Sequence, residues 1–130
     1  MIYVDSSAFL KSIWNEAESQ ALGRYLDKRS GEPLVSSVLL AIEARRTVLR
    51  HKPALILRTD VLLIDVAQVS ITDPVIESAS RIPERMLRSL DAIHLATALM
   101  LGDQVDVMVT YDKRLAAAAE AYKIPTVAPC

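Results

Sequence analysis

The stretch MIYVDSSAFLK (residues 1–11) frames the reading of everything after it. Its first four residues form a short apolar run with no polar face, which suits a central parallel strand buried on both sides. The run stops at Asp5. Ser6 and Ser7 then offer caps for a helix that carries Ala8, Phe9, Leu10, Ile13 and Trp14.

Outward from that start, strands and helices are expected to alternate. A second helix carries Ala21, Leu22, Tyr25 and Leu26 and breaks at Ser30, Gly31 and Pro33. Leu34 and Val35 read as a short strand, Ser36 or Ser37 as a cap, and residues 38–49 as a helix. A short helix is expected after Pro53, where proline is tolerated in a first turn. The run VLLI (residues 61–64) reads as a third strand, and Asp73-Pro74 opens a helix through Val75, Ile76 and Ala79. Asp91 begins the most strongly helical segment, DAIHLATALM, which stops at Gly102. Residues 105–110 make a fourth strand, Asp112 caps the helix KRLAAAAEAY, and Thr126-Val127 forms a last short strand. The expected fold class is therefore a three-layer α/β/α arrangement over a central parallel sheet of four to five strands, one domain across residues 1–130.

Composition narrows the function classes. With 52% hydrophobic residues the chain has ample material for a core, and disorder is not expected. Fifteen basic residues against sixteen acidic ones neither point to a polyanion partner nor exclude one, because clustering matters more than the sum. The single cysteine, Cys130, permits no intramolecular disulfide and no cysteine zinc site. No secretory signal is read, and charges interrupt every apolar stretch below the ~20 residues that span a bilayer. A cytoplasmic location and no membrane association are the expectation.

In open α/β sheets, ligands bind beyond the carboxyl ends of the strands, where the strand order reverses. Asp5 follows the first strand and Asp112 closely follows the fourth. If those strands are neighbours, both carboxylates emerge at one edge. Asp91, at a helix entry, lies at that edge too, and Glu43, about two turns into its helix, can reach inward. Each acid also has a plainer role. Asp91 and Asp112 make good helix caps, and Glu43 beside Arg45 and Arg46 could belong to a solvated face. Gathered together, however, the four would repel one another until a divalent cation neutralised them. Carboxylates without histidine or cysteine favour Mg²⁺, with Mn²⁺ able to substitute. Such a cation supports phosphodiester hydrolysis.

YVDSSAFLK, SSVLLAIEARR, LRSLDAIHLATA and VTYDKRLAAAA resemble, in order and spacing, the PIN-domain ribonucleases, and specifically the VapC-type toxins of toxin–antitoxin modules. The resemblance implies a Mg²⁺-dependent endoribonuclease that cuts RNA and thereby inhibits translation. It places the acids of the site on Asp5, Glu43, Asp91 and Asp112, with Asp5 and Asp91 the direct metal ligands. It further implies that Thr110 is the small polar residue lining the site, that a cognate antitoxin occludes the site, and that the toxin is a homodimer. Leu10, Trp14, Leu22 and Tyr25 could line a groove for a partner segment or serve as ordinary helix-pair contacts.

Basic residues cluster at Arg45, Arg46, Arg50, Lys52 and Arg58, at Arg81, Arg85 and Arg88, and at Lys113 and Arg114. Arg85, Arg88 and Arg114 neighbour the acids in sequence and are the candidates for RNA phosphate contacts. His94, one turn beyond Asp91, is expected to be packed rather than a base. A binding module on the same scaffold, and a phospho-accepting receiver domain, are the competing readings. A receiver needs paired early acids and a lysine after a late strand, whereas here Asp5 meets Ser6 and the late strand runs into Thr110, Tyr111 and Asp112.

Overall fold

The computed structural model describes residues 1–85 and 87–130. In chain order the elements are β1 (Ile2–Val4), α1 (Ser6–Ile13), α2 (Ser19–Lys28), β2 (Leu34–Ser37), α3 (Leu39–His51), α4 (Ile56–Ile64) and β3 (Val66–Val69). They continue with α5 (Asp73–Ser80), α6 (Ser89–Leu101), β4 (Val107–Val109), α7 (Lys113–Ala121) and β5 (Thr126–Val127). The strands pair in parallel in the order β3-β2-β1-β4-β5. From β1 the chain builds outward to β2 and β3, then crosses back to lay β4 on the other flank of β1. The order therefore reverses beside β1, and a crevice forms at the carboxyl ends of β1 and β4.

The two-residue period of β1 distributes the core. Ile2 and Val4 point to one face, into a cluster with Phe9, Leu22, Leu40, Val48 and Leu63 from α1 to α4. Tyr3 points to the other face, among Val35, Leu95, Met108, Leu115 and Ala119. Gly102 ends α6 at φ 57°, a left-handed conformation that a β-carbon would strain.

The structure departs from the sequence reading in two places that bear on function. The expected strand at residues 61–64 is the last part of α4, and the third strand lies further on, at Val66–Val69. Helix α4 buries Thr59 and Leu63 one turn apart and leaves Leu57, Val61 and Ile64 exposed. An apolar run of four looks the same in either state, and the true edge strand, VAQV, carries the polar residue. The second departure is at Asp91, which does not open α6. The helix starts two residues earlier, and Asp91 sits inside its first turn, where a carboxylate complements the helix dipole without acting as a cap.

These assignments have a stability consequence. Leu95→Ala, in the fully buried face of α6, is expected to cost about 2–5 kcal/mol in urea unfolding. Ile64→Ser, on the 81% exposed rim of α4, should change stability by no more than about 0.5 kcal/mol. A large loss at Ile64 would mean that α4 is not the helix described.

Candidate active site

Asp5 stands where β1 meets α1. It caps that helix, taking the role expected of Ser6 or Ser7: its Oδ1 accepts from the Ala8 N–H at 3.0 Å. The Ser7 hydroxyl donates toward both oxygens, at 2.7 and 2.9 Å, and the Thr110 hydroxyl donates to Oδ2 at 2.6 Å. With only 2% of Asp5 exposed, burial pushes its carboxyl upward, and the bonds from Thr110, Ala8 and Ser7 oppose that shift.

The same donors lace β1 to β4. Ser7 Oγ accepts from the Tyr111 N–H at 2.9 Å, and Thr110 Oγ1 accepts from the Asp112 N–H at 3.1 Å. Asp112 caps α7 as the sequence suggested, its Oδ1 accepting from the N–H groups of Arg114 and Leu115 at 2.8 and 3.0 Å.

Glu43 comes from α3 and Asp91 from α6. One Glu43 oxygen meets His94 Nε2 at 2.6 Å, and the other accepts from Ser6 Oγ at 3.3 Å. Asp91 accepts no side-chain hydrogen bond among the described residues. Its carboxyl is pushed up to about 6, first by burial and then by the charge of Asp112; Asp5 and Glu43 add to the rise and His94 works against it. The other three acids thus all act on Asp91 at the switch-point edge. They do not close round a single point: among the described residues no three His, Cys, Asp or Glu side chains stand as an ion-holding set. Asp91 and Asp112 share a recess of about 380 Å³ with Arg88, Lys113 and Arg114.

The PIN domain family profile matches residues 2–121 of this sequence. The chain belongs to the PIN domain family. Ribonuclease VapC35 of Mycobacterium tuberculosis is 38% identical to it over 131 residues, covering 99% of this chain and 97% of the relative. Ribonuclease VapC47 of the same organism is 37% identical with the same coverage. This PIN domain also resembles the crystal structure of M. tuberculosis VapC20, described as a sarcin-ricin loop cleaving toxin. The TM-score is 0.76 over 91% of this chain and 95% of that one, and at 18% identity the likeness is one of fold.

For a PIN domain the donor chemistry around the recess suits a hard divalent cation. The two acids that line it offer carboxylate oxygens, beside three basic side chains, while the imidazole of His94 is turned away onto Glu43 and Tyr3. Asp91 is crowded by like charge and accepts no side-chain hydrogen bond among the described residues, so its carboxylate is the one a nearby cation would relieve most.

Of the three arginines singled out from the sequence, Arg88 and Arg114 line the recess. Arg85 is exposed and lies in the adjoining groove of about 380 Å³ that Arg114 also borders, with Leu87, Ala117 and Ala121. Of the two roles open to Leu10, Trp14, Leu22 and Tyr25, the structure shows packing contacts for all four. Leu22 is core, Leu10 and Tyr25 pack against that core, and only Trp14 lines the cleft beside α2, with Asn15, Gly23 and Arg58. Sequence reasoning missed Ser7 as the group joining Asp5 to Tyr111. It also missed the partners of His94. The doubled serine after Asp5 was the available signal for Ser7.

The raised carboxyl of Asp91 has a definite sign. The folded protein holds that proton more tightly than the unfolded chain, whose value is 3.8, so Asp91 withdraws stability as pH climbs from about 4 through about 6. Without divalent cations, Asp91→Asn is expected to be more stable than the natural protein at pH 8. The gain is on the order of 1 kcal/mol, since a half-exposed carboxylate is screened, and it should vanish near pH 4. Urea melts at the two pH values check this, and an equal gain at both would refute the coupling.

Proposed function

We propose that this protein is a metal-dependent endoribonuclease, the toxin of a toxin–antitoxin pair, cutting RNA phosphodiester bonds and thereby inhibiting translation. The observation that carries the reading is Asp91, raised to about 6 beside Asp112, Asp5 and Glu43 at the strand-order reversal. Family membership and full-length relatives named as ribonucleases support it.

In this reading Asp5 and Asp91 hold Mg²⁺, with Mn²⁺ able to take its place, and Glu43 and Asp112 complete the negative field. When bound, such a cation would supply neutralisation of that field and charge stabilisation at the scissile phosphate. The rest falls to the chain's own groups. Arg88, Lys113 and Arg114, sharing the recess with two of the acids, bind the flanking phosphates and seat the backbone. Arg85 extends the basic track along the adjoining groove. In this reading Glu43 Oε2, engaged among the described residues by the long bond from Ser6 alone, accepts a proton from the attacking water. Thr110 and Ser7 hold Asp5 in orientation. A cognate antitoxin protein and a homodimeric toxin belong to the same proposal. Among the described residues no helix is long and apolar enough to cross a membrane.

Asp5→Asn and Asp91→Asn are expected to abolish Mg²⁺-dependent cleavage of cellular RNA and to relieve growth inhibition on expression. Chelation should silence the natural protein, and Mn²⁺ should restore it. Cleavage at natural rates by both variants would end the proposal, and RNA binding without cleavage at any metal concentration would make this a binding module. Arg88→Ala and Arg114→Ala should each weaken RNA binding and reduce its dependence on salt by about one unit of log–log slope. Unchanged salt dependence would remove those residues from the phosphate track.

A further inference from the structure

Beneath the acids lies a pair of buried polar side chains with no part in the chemistry just described. Tyr3 in β1 and His94 in α6 are both 0% exposed. Their rings meet edge to face at 5.8 Å and 84°, and Tyr3 Oη lies 2.8 Å from His94 Nδ1. The opposite ring nitrogen, Nε2, lies 2.6 Å from Glu43 Oε1. A line of contacts therefore runs from the central strand, through a helix on one face of the sheet, to a carboxylate delivered by a helix on the other.

The partners assign the ring its tautomer. Tyr3 Oη accepts from the Ser37 N–H at 3.2 Å, which leaves the hydroxyl proton to point at Nδ1. A neutral imidazole that accepts at Nδ1 carries its proton on Nε2 and donates it to Glu43. Burial raises the Tyr3 hydroxyl and keeps it a protonated donor. The Glu43 carboxylate is thereby held at both oxygens, firmly by His94 and loosely by Ser6. A glutamate side chain has three rotatable bonds and no preferred position of its own, so its aim depends on such partners.

We infer that His94 is a positioning residue, fixed in its Nε2–H tautomer by Tyr3, which holds Glu43 toward the acidic recess. Its effect on cleavage rests on the nuclease reading, but the hydrogen-bonded line itself does not. Asp91 and His94 lie three residues apart on one helix, so the segment that brings one acid to the recess also brings the donor that orients another.

The first test uses the natural full-length protein, free of metal, with ¹⁵N-labelled histidine. Two-bond ¹H–¹⁵N spectra are expected to show the buried ring protonated on Nε2 alone, with exposed His51 as the solvent-averaged reference. A proton on Nδ1, alone or together with Nε2, overturns the inference. The second test titrates Mn²⁺ alone into the natural protein, His94→Leu and His94→Gln by calorimetry. His94→Leu is expected to bind Mn²⁺ about 10- to 100-fold more weakly, the usual effect of removing a partner behind a metal-site side chain. It should also lower kcat while leaving KM for RNA unchanged. His94→Gln can place an amide N–H near the lost Nε2 and should recover most of both losses. Unchanged Mn²⁺ affinity in His94→Leu, or no recovery in a His94→Gln variant that melts like the natural protein, overturns the inference. The spectrum needs no variant and decides the matter if the substitutions do not fold. Wild-type cleavage by Asp91→Asn would instead defeat the nuclease reading and leave the tautomer measurement standing.

Discussion

A carboxylate removed from water must be met by hydrogen-bond donors, and the active edge of this sheet is arranged around meeting that demand at Asp5. The donors come from two separate parts of the chain. Ala8 and Ser7 belong to the helix that follows β1, and Thr110 follows β4, more than a hundred residues later. Satisfying one buried acid therefore joins the two strands at whose ends the strand order reverses. Thr110 Oγ1 also receives the Asp112 N–H, so the placement of a second acid depends on the same hydroxyl. A substitution at Thr110 would disturb the pairing of strands and the spacing of charges together.

Around that anchor the acids divide the work of being tolerated. Asp5 and Asp112 are helix caps, and part of their negative charge is answered by backbone N–H groups. Glu43 is answered by His94. Asp91 receives the weak compensation of its helix dipole and an opposing contribution from His94, and its carboxyl still carries the rise to about 6. Electrostatic strain is thus concentrated on one of the two acids that line the recess.

What the sequence revealed followed from how local each signal was. The apolar run before Asp5, the cap at Asp112 and the glycine after Leu101 are each decided by a few adjacent residues, and each is found where those residues indicate. The run at residues 61–64 carries no such local signal. Val61 and Ile64 are exposed and Leu63 is buried, a pattern set by what α4 packs against. The start of α6 lies two residues ahead of Asp91 because Ser89 and Leu90 belong to its first turn, and among the described residues no side chain caps that helix. The line from Tyr3 through His94 to Glu43 joins positions 40 to 91 residues apart, and nothing in the spacing of those three residues connects them. Of the candidate site, therefore, the nearness of the other three acids to Asp91 was legible, while the hydrogen bonds that support them were not.

That support explains why the site sits on helix beginnings and strand ends and not on long loops. Six of the thirteen residues of α6 are buried: Ala92, His94, Leu95, Ala96, Thr97 and Ala98. The alanines let the helix lie close against its neighbours, and a close-packed helix cannot drift by the fraction of an ångström that would misalign its charges. Asp91 inherits its position from that packing, and among the described residues its side chain accepts no hydrogen bond. Glu43, delivered by α3 on the opposite face of the sheet, is held by His94 reaching across. One acid is placed by the body of the helix and another by a single side chain from the same helix. The precision of both therefore rests on how firmly α6 is held against the sheet.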